Sequence, residues 1–327
     1  MSSTVVPMST AASAKPGNAL PLYAATVVGF MVLVILEGAF VRATGSGAGC
    51  GNHWPLCNGD FFPHHPRLTT LIEYTHRSMT GVCTTMVALL IGWTFRARPR
   101  GNRARRAVVW CGILLLTEAF LGALLVKGGY VENNASDMRV FMQCVHFTNT
   151  LLLLAAITIS WWWLRDRTPA LHLRPSARSA AWLALGTTVV VGATGSVAAL
   201  ADTLFPSTSL QTAFVQDFAA NSPLLVRMRW VHPATALIGL ACAIWLAVQL
   251  RSSLGRWVLA LIAAQLVLGA ADVLLLAPTW MQILHLLGAD LYWIALVAAC
   301  TTVIAPAPLA APLAPPLAPP LAPIEAS

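Results

Sequence analysis

The sequence predicts an all-α polytopic membrane protein whose eight transmembrane helices form two four-helix bundles related by a pseudo-twofold axis. Three observations predict it. The 327 residues are 57% hydrophobic and only 10% charged, with a mean hydropathy of +0.71, a balance outside the range of soluble domains. Eight apolar runs, each near the roughly 20 residues that a spanning helix needs, occur at about 20–41, 71–95, 107–127, 141–164, 179–200, 228–250, 256–276 and 280–304. Landmarks of the first four runs recur, in order, in the last four.

The first run follows about twenty small and polar residues and has no Ala-x-Ala cleavage site after it, so it reads as an uncleaved span behind a cytoplasmic segment, 1–19. Runs one to four make an N-terminal half, 20–164, and runs five to eight a C-terminal half, 165–304. Residues 305–327 are an Ala/Pro/Leu tail without packing periodicity, read as a disordered or polyproline-like extension.

The formal charge is +8. With the N-terminus inside, the inner segments carry thirteen basic residues: Lys15, six arginines between Arg96 and Arg106, Arg165, Arg167, Arg174, Arg178, Arg251 and Arg256. The outer segments carry six: Arg42, Arg67, Lys127, Arg139, Arg227 and Arg229. The positive-inside rule then places both termini in the cytoplasm of a multi-pass inner (plasma) membrane protein. The arginine clusters are short loops without interleaved aromatics, so no nucleic-acid partner is expected.

The repeat is read from four landmarks. Thr44-Gly45-Ser46 recurs as Thr194-Gly195-Ser196, Leu121-Gly122-Ala123 as Leu268-Gly269-Ala270, and Met142-Gln143 with His146 as Met281-Gln282 with His285, at offsets of 150, 147 and 139. His76 pairs with His232 at an offset of 156. Four spans per half bring the second half in from the same side as the first, so the repeat is parallel and its axis lies along the membrane normal.

His76, His146, His232 and His285 each lie one or two turns inside the first end of an even-numbered run, at one depth of the membrane. An ionisable ring there is costly enough to be a functional candidate, the alternative being a hydrogen-bonded packing residue. Haem iron, copper and zinc are the candidates for what four such rings hold. Haem fits best, because copper and zinc sites recruit carboxylates or thiolates at close spacing, and bundles hold cofactors between facing helices. Gly81, Gly122, Gly192, Gly239, Gly269 and Gly288 are glycines able to open slots for such a ring system. The remaining histidines, His53, His64, His65 and His172, fall in loops.

Glu73 precedes His76 by three residues and shares its helix face. A carboxylate beside a haem in low dielectric suits proton transfer, but Thr70-Leu71-Ile72-Glu73 also reads as a capping box. Arg77 and Arg229 are candidates for haem propionates or for snorkelling. Cys50 and Cys57 share a Gly-rich outer loop, where an oxidising compartment favours a disulfide that is structural or redox-active. The other five cysteines lie in apolar runs and read as small buried hydrophobes.

The run Glu37-Gly38-Ala39-Phe40-Val41-Arg42-Ala43-Thr44-Gly45-Ser46, followed by Cys50, Trp54-Pro55-Leu56-Cys57-Asn58-Gly59 and Glu73-Tyr74-Thr75-His76-Arg77, resembles the haem A synthase family. The likeness extends from about residue 25 to 300. It implies a membrane oxidoreductase that converts the C8 methyl of haem O to the formyl of haem A for cytochrome oxidase, by two hydroxylations and loss of water. It also implies that His76 and His146 belong to the substrate-haem half, that His232 and His285 are axial ligands of haem b, that Glu73 is the catalytic acid, and that Cys50 and Cys57 are the family's loop pair. The second cysteine pair of some members is missing here. Implied partners are haem O synthase, cytochrome oxidase assembly factors and an electron donor of unspecified identity, in a lipid setting that admits a homo-oligomer. Two other classes fit the histidines less well. A dihaem membrane cytochrome b transferring electrons from quinol leaves Glu73 and the one-sided cysteine loop without purpose. A repeat-built transporter lacks broken helices at matching depths.

Overall fold

The computed structural model describes residues 19–165 and 175–304. The proposed cytoplasmic segment and tail, Arg167, His172 and Arg174 lie outside the described residues. Among the described residues ten helices follow one another: α1 (Ala19–Ala43), α2 (Leu68–Ala97), α3 (Arg103–Lys127), α4 (Asp137–Leu164), α5 (Pro175–Leu204), α6 (Leu210–Phe218), α7 (Leu224–Arg227), α8 (Val231–Leu250), α9 (Ser253–Leu274) and α10 (Thr279–Ile304). Eight helical segments among the described residues are long and apolar enough to cross a membrane, one of them spanning Leu224–Leu250. The described residues form no strand, only an isolated antiparallel bridge between Cys57 and Asp60.

Caps mark where several helices start. The side chains of Asn102, Ser136, Ser209 and Ser252 accept backbone N–H bonds from Ala104, Arg139, Thr212 and Gly255, satisfying donors that a first turn leaves unpaired. The sixth apolar run is broken after α7 for a local reason. Pro233 has no N–H to offer the Arg229 carbonyl, and the chain tightens there, with His232 N–H donating to Arg229 O at 3.2 Å.

In the first half α1 packs on α2, α2 on α3, α3 on α4, and α4 returns to α1; in the second half α5, α8, α9 and α10 make the same circuit. The halves meet through α1, α4, α5 and α10. Leu153, Leu154 and Ile157 of α4, Ala177, Ala180, Ala181 and Ala184 of α5, and Leu296 of α10 are fully buried in this seam. Alanines spaced three and four apart let helix backbones approach closely, which is how apolar helices gain packing energy in lipid. Large side chains such as Leu89, Leu116, Phe120, Trp257 and Leu274 point outward, as a lipid-facing surface allows. The α4 and α5 core residues fill the end of the molecule away from the 44–67 loop, which leaves the loop end for the histidines.

Candidate functional site

Each of the four span histidines meets a glycine. A Cβ added at Gly38 in α1 would stand 2.9 Å from His76 Cε1, one at Gly195 in α5 2.9 Å from His232 Cε1, one at Gly269 in α9 3.1 Å from His285 Cε1, and one at Gly122 in α3 3.8 Å from His146 Cε1. The pairing obeys the repeat: the second-span histidine rests on the first helix of its half, the fourth-span histidine on the third. Of the glycines that the sequence offers as slots, Gly122 and Gly269 face rings, whereas Gly192 faces Phe147 and Leu151, Gly239 faces Val191, Gly288 faces Gln265, and Gly81 faces open space. Gly38 is the partner that the motif alignment conceals. It precedes Gly195 by 195 − 38 = 157 residues, almost the 156 between His76 and His232, while Gly45, matched to Gly195 by its Thr-Gly-Ser setting, has no neighbour within 4 Å.

The rings also share a depth. His76 is the ninth residue of α2, His146 the tenth of α4, His285 the seventh of α10, and His232 the ninth of the Leu224–Leu250 segment. At 1.5 Å per residue they sit about 9–14 Å inside their helices.

In the C-terminal half the imidazoles of His232 and His285 face one another with ring centroids 6.2 Å apart and planes at 79°. Metal–imidazole bonds of about 2 Å, with the ring centre about 1 Å further, put two opposed ligands of one metal about 6 Å apart, centre to centre. His232 Nδ1 lies 3.2 Å from the Val191 carbonyl, an arrangement that fixes the proton on Nδ1 and leaves Nε2 as the free ligand nitrogen. A cavity of about 530 Å³ between α5, α8, α9 and α10 contains both rings, with Gly195, Ala236, Leu266 and Gly269 among its walls. Such a cavity is of the size and character of an apolar cofactor site. No group of three or more His, Cys, Asp or Glu side chains converges among the described residues, so copper or zinc held by protein ligands alone is a poor fit. An apolar slot between two opposed imidazoles fits a haem.

The ends of this cavity differ. At the loop end Arg229 donates to Ser207 at 3.1 Å and pairs with Asp202 at 3.3 Å and Asp217 at 3.4 Å; burial raises the Asp217 carboxyl above its usual range and Arg229 opposes that rise. This guanidinium is held in place by two carboxylates, so it is a structured polar group at the cavity mouth, not a snorkelling side chain. At the deep end Asp290 is 1% exposed, and neither carboxylate oxygen has a hydrogen-bond partner. Arg42, from α1, crosses between the halves and donates to Ala199 O at 2.6 Å, Thr203 Oγ1 at 2.6 Å and Gln282 Oε1 at 2.8 Å.

In the N-terminal half His76 and His146 lie within electrostatic reach of each other. Glu118 of α3, which sequence reasoning did not single out, stands beside them. Its Oε1 lies 3.5 Å from His146 Nδ1, Asn149 Nδ2 donates to its Oε2 at 2.7 Å, and the Thr150 hydroxyl donates to its Oε1. The available signal was that an acid in the middle of an apolar run is itself costly.

Glu73 serves a different element. It is 3% exposed; Oε2 accepts the Cys50 N–H at 2.7 Å, and Oε1 accepts Arg77 Nη2 at 2.5 Å and Nε at 3.1 Å. Arg77 also donates to His53 O at 2.7 Å and Leu56 O at 2.6 Å. The loop they anchor is closed by a disulfide between Cys50 and Cys57. The capping-box reading of Thr70 and Glu73 is overturned: α2 begins at Leu68 behind an extended Arg67 without a side-chain cap, and the Thr70 hydroxyl donates to Gly49 O at 2.8 Å. Tertiary bonds to the loop have taken both groups. They engage Arg77 as well, which is therefore held to the loop and is not a snorkelling side chain.

A family model described as cytochrome oxidase assembly protein, COX15-CtaA, matches residues 22–297. Among curated relatives, a protoheme IX farnesyltransferase of Thermus thermophilus is 41% identical over 292 residues, 86% of this chain and 48% of that protein. A heme A synthase of Geobacillus kaustophilus is 32% identical over 142 residues, 43% of this chain and 42% of the relative, and one of Bacillus pumilus is 38% identical over 143 residues, 43% of each. The chain thus matches about half the length, or less, of these relatives. With the family model spanning all eight transmembrane segments, the chain belongs to the COX15-CtaA family of cytochrome oxidase assembly proteins.

Proposed function

We propose that this chain is a haem A synthase, a membrane oxidoreductase that takes haem O as substrate and oxidises its C8 methyl to a formyl group by two successive hydroxylations and loss of water. The observation that carries the reading is the facing pair His232 and His285 in an apolar cavity, together with a glycine packed against each of the four span histidines at matching positions of the two halves. In this reading the chain is two four-helix bundles related by a pseudo-twofold axis, with residues 20–164 holding the substrate haem through His76 and His146, and residues 165–304 holding haem b through His232 and His285. When bound, haem b supplies one-electron transfer. The apolar walls exclude water, the ring nitrogens orient both groups, and Arg229 offers a positive charge at the cavity mouth for a haem carboxylate. Glu73 accepts the Cys50 N–H of the disulfide loop, and its proton transfer serves the methyl oxidation.

Two further features support this assignment. Half of the Thermus relative is matched by this chain, and that relative is named for farnesyl transfer to protohaem, the reaction class that supplies a farnesylated haem; a haem O synthase is therefore the proposed supplier. Loop charges favour both termini on the cytoplasmic side of the plasma membrane.

The test is to purify the full chain from a haem A-producing host and identify its extracted haems. Haem b with haem O or haem A is expected. Two equivalents of haem b alone would make the protein an electron-transferring cytochrome, and no haem would remove the proposal. Glu73→Gln should retain haem b and stop formyl production; undiminished haem A would leave Glu73 as a loop anchor only.

A further inference from the structure

The two halves differ in what stands behind their fourth-span histidines. His146 and His285 occupy the same place in the repeat, as do Glu118 and Gln265, which are separated by 265 − 118 = 147 residues, the same offset that relates Gly122 to Gly269. In the N-terminal half Glu118 turns a carboxylate oxygen to within 3.5 Å of His146 Nδ1. In the C-terminal half Gln265 donates instead to the backbone carbonyl of His285 at 3.0 Å; Nδ1 of both rings lacks a hydrogen bond at normal distance, and the halves differ in that only His146 has a carboxylate oxygen within ion-pair distance. His232, the other ring of that half, meets a neutral carbonyl. The duplicated scaffold has therefore placed a carboxyl group behind an imidazole in one half and an amide at the matching position of the other.

Glu118 is held for this task. Asn149 and Thr150 lie three and four residues beyond His146, on the next turn of α4, and both donate to the carboxylate; Asn149 also donates to Leu114 O at 2.9 Å and Thr150 to His146 O at 3.0 Å. The carboxylate is thus fixed by the same helix that carries the ring, and it needs to close by only about half an ångström to make a normal hydrogen bond. A carboxylate that accepts the distal ring proton orients a ligating histidine and makes it a stronger electron donor to the metal.

We infer that Glu118 is a positioning residue of the N-terminal half, which accepts the Nδ1 proton of His146 and makes the iron held there harder to reduce than the iron held by His232 and His285. The inference rests on the proposal that the N-terminal half holds a haem. It explains how one folded unit, present twice, gives two sites with separate tasks: a carboxyl group stands behind a ring of the half where the substrate is oxidised, and the matching position of the half that relays electrons carries the uncharged amide of Gln265.

The test is a potentiometric titration, followed optically, of the full-length protein purified with its haems. The component belonging to the N-terminal half is identified by its loss in His76→Ala. Glu118→Gln preserves the shape and leaves one acceptor oxygen instead of two: its carbonyl can accept from Asn149 Nδ2, while the Thr150 hydroxyl turns to His146 O and accepts the new amide N–H, so a purely structural role predicts no change. The expected result is at least a tenfold shift of the one-electron equilibrium toward the reduced form in the N-terminal component, about 59 mV, with the C-terminal component unmoved. If Glu118→Gln sheds that haem, Thr150→Val reads the same effect by loosening the carboxylate without removing its charge, and a smaller upward shift is expected. An unmoved N-terminal component in a variant that holds both haems would overturn the inference and leave the haem A assignment standing. A wild-type protein without any N-terminal component would overturn the assignment and the inference together.

Discussion

Adding one carbon at a time to the four ring-facing glycines should disturb haem binding in proportion to the space each offers. At Gly195 a new Cβ would lie 2.9 Å from Cε1 and 3.1 Å from Nδ1 of His232, where carbon contacts settle at about 3.5–4.0 Å. The ring must therefore retreat by about half an ångström or more, against a metal bond only about 2 Å long. Overpacking of this size costs about 1–3 kcal/mol, and at 1.4 kcal/mol per tenfold this is a loss of roughly 5- to 150-fold in haem affinity. Gly122 is the internal control, because its Cβ would make an ordinary 3.8 Å contact with His146 Cε1. Alanine also favours a helix over glycine by about 1 kcal/mol, so the apo proteins should melt no lower than wild type. Haem titration of apo Gly38→Ala, Gly195→Ala, Gly269→Ala and Gly122→Ala, read by Soret absorbance and thermal melting, should give weak binding for the first two, an intermediate value for Gly269→Ala and near-normal binding for Gly122→Ala. Equal affinities across the series would refute the reasoning.

Three other perturbations have defined outcomes. Replacing Cys50 and Cys57 by serine removes a closure of sequence separation 7, worth about 2.5 kcal/mol in chain entropy, and should make the 44–67 loop sensitive to limited proteolysis; a cleavage pattern like that of the wild type would show that Glu73 and Arg77 hold the loop unaided. Arg42→Met should lower thermal stability by about 1–3 kcal/mol, because it removes the only donor to Gln282 Oε1 among the described residues at the seam between the halves, while Ala199 O keeps the Thr203 hydroxyl, and an unchanged melting temperature would exclude this bridge. Asp290→Leu should stabilise the apo protein by about 1–3 kcal/mol, since it removes a carboxylate with no partner; a lower melting temperature would contradict that account.

The spans were legible because lipid imposes one rule on all of them, and the histidines because a polar ring in an apolar run is rare. α6 was not legible. Its nine residues follow no spanning rule, and Leu210, Phe214 and Phe218 lie exposed along the helix at the cavity mouth. Glu118 escaped because its meaning depends on α3 lying against α4, a tertiary fact, and because the eye goes first to Glu73, which shares a helix with a histidine. Thr70 misled for the converse reason. The capping box is a local signal, and the carbonyl of Gly49, twenty-one residues away, competed for the hydroxyl and won. Gly38 shows the limit of motif alignment, which matched three letters and missed the register that the histidines keep.

Four side chains of the first half, Ala39, Arg42, Phe147 and Leu151, line the cavity that contains His232 and His285. The chamber around His232 and His285 is therefore walled on that side by residues of the first half, and a cut between the two halves would open it.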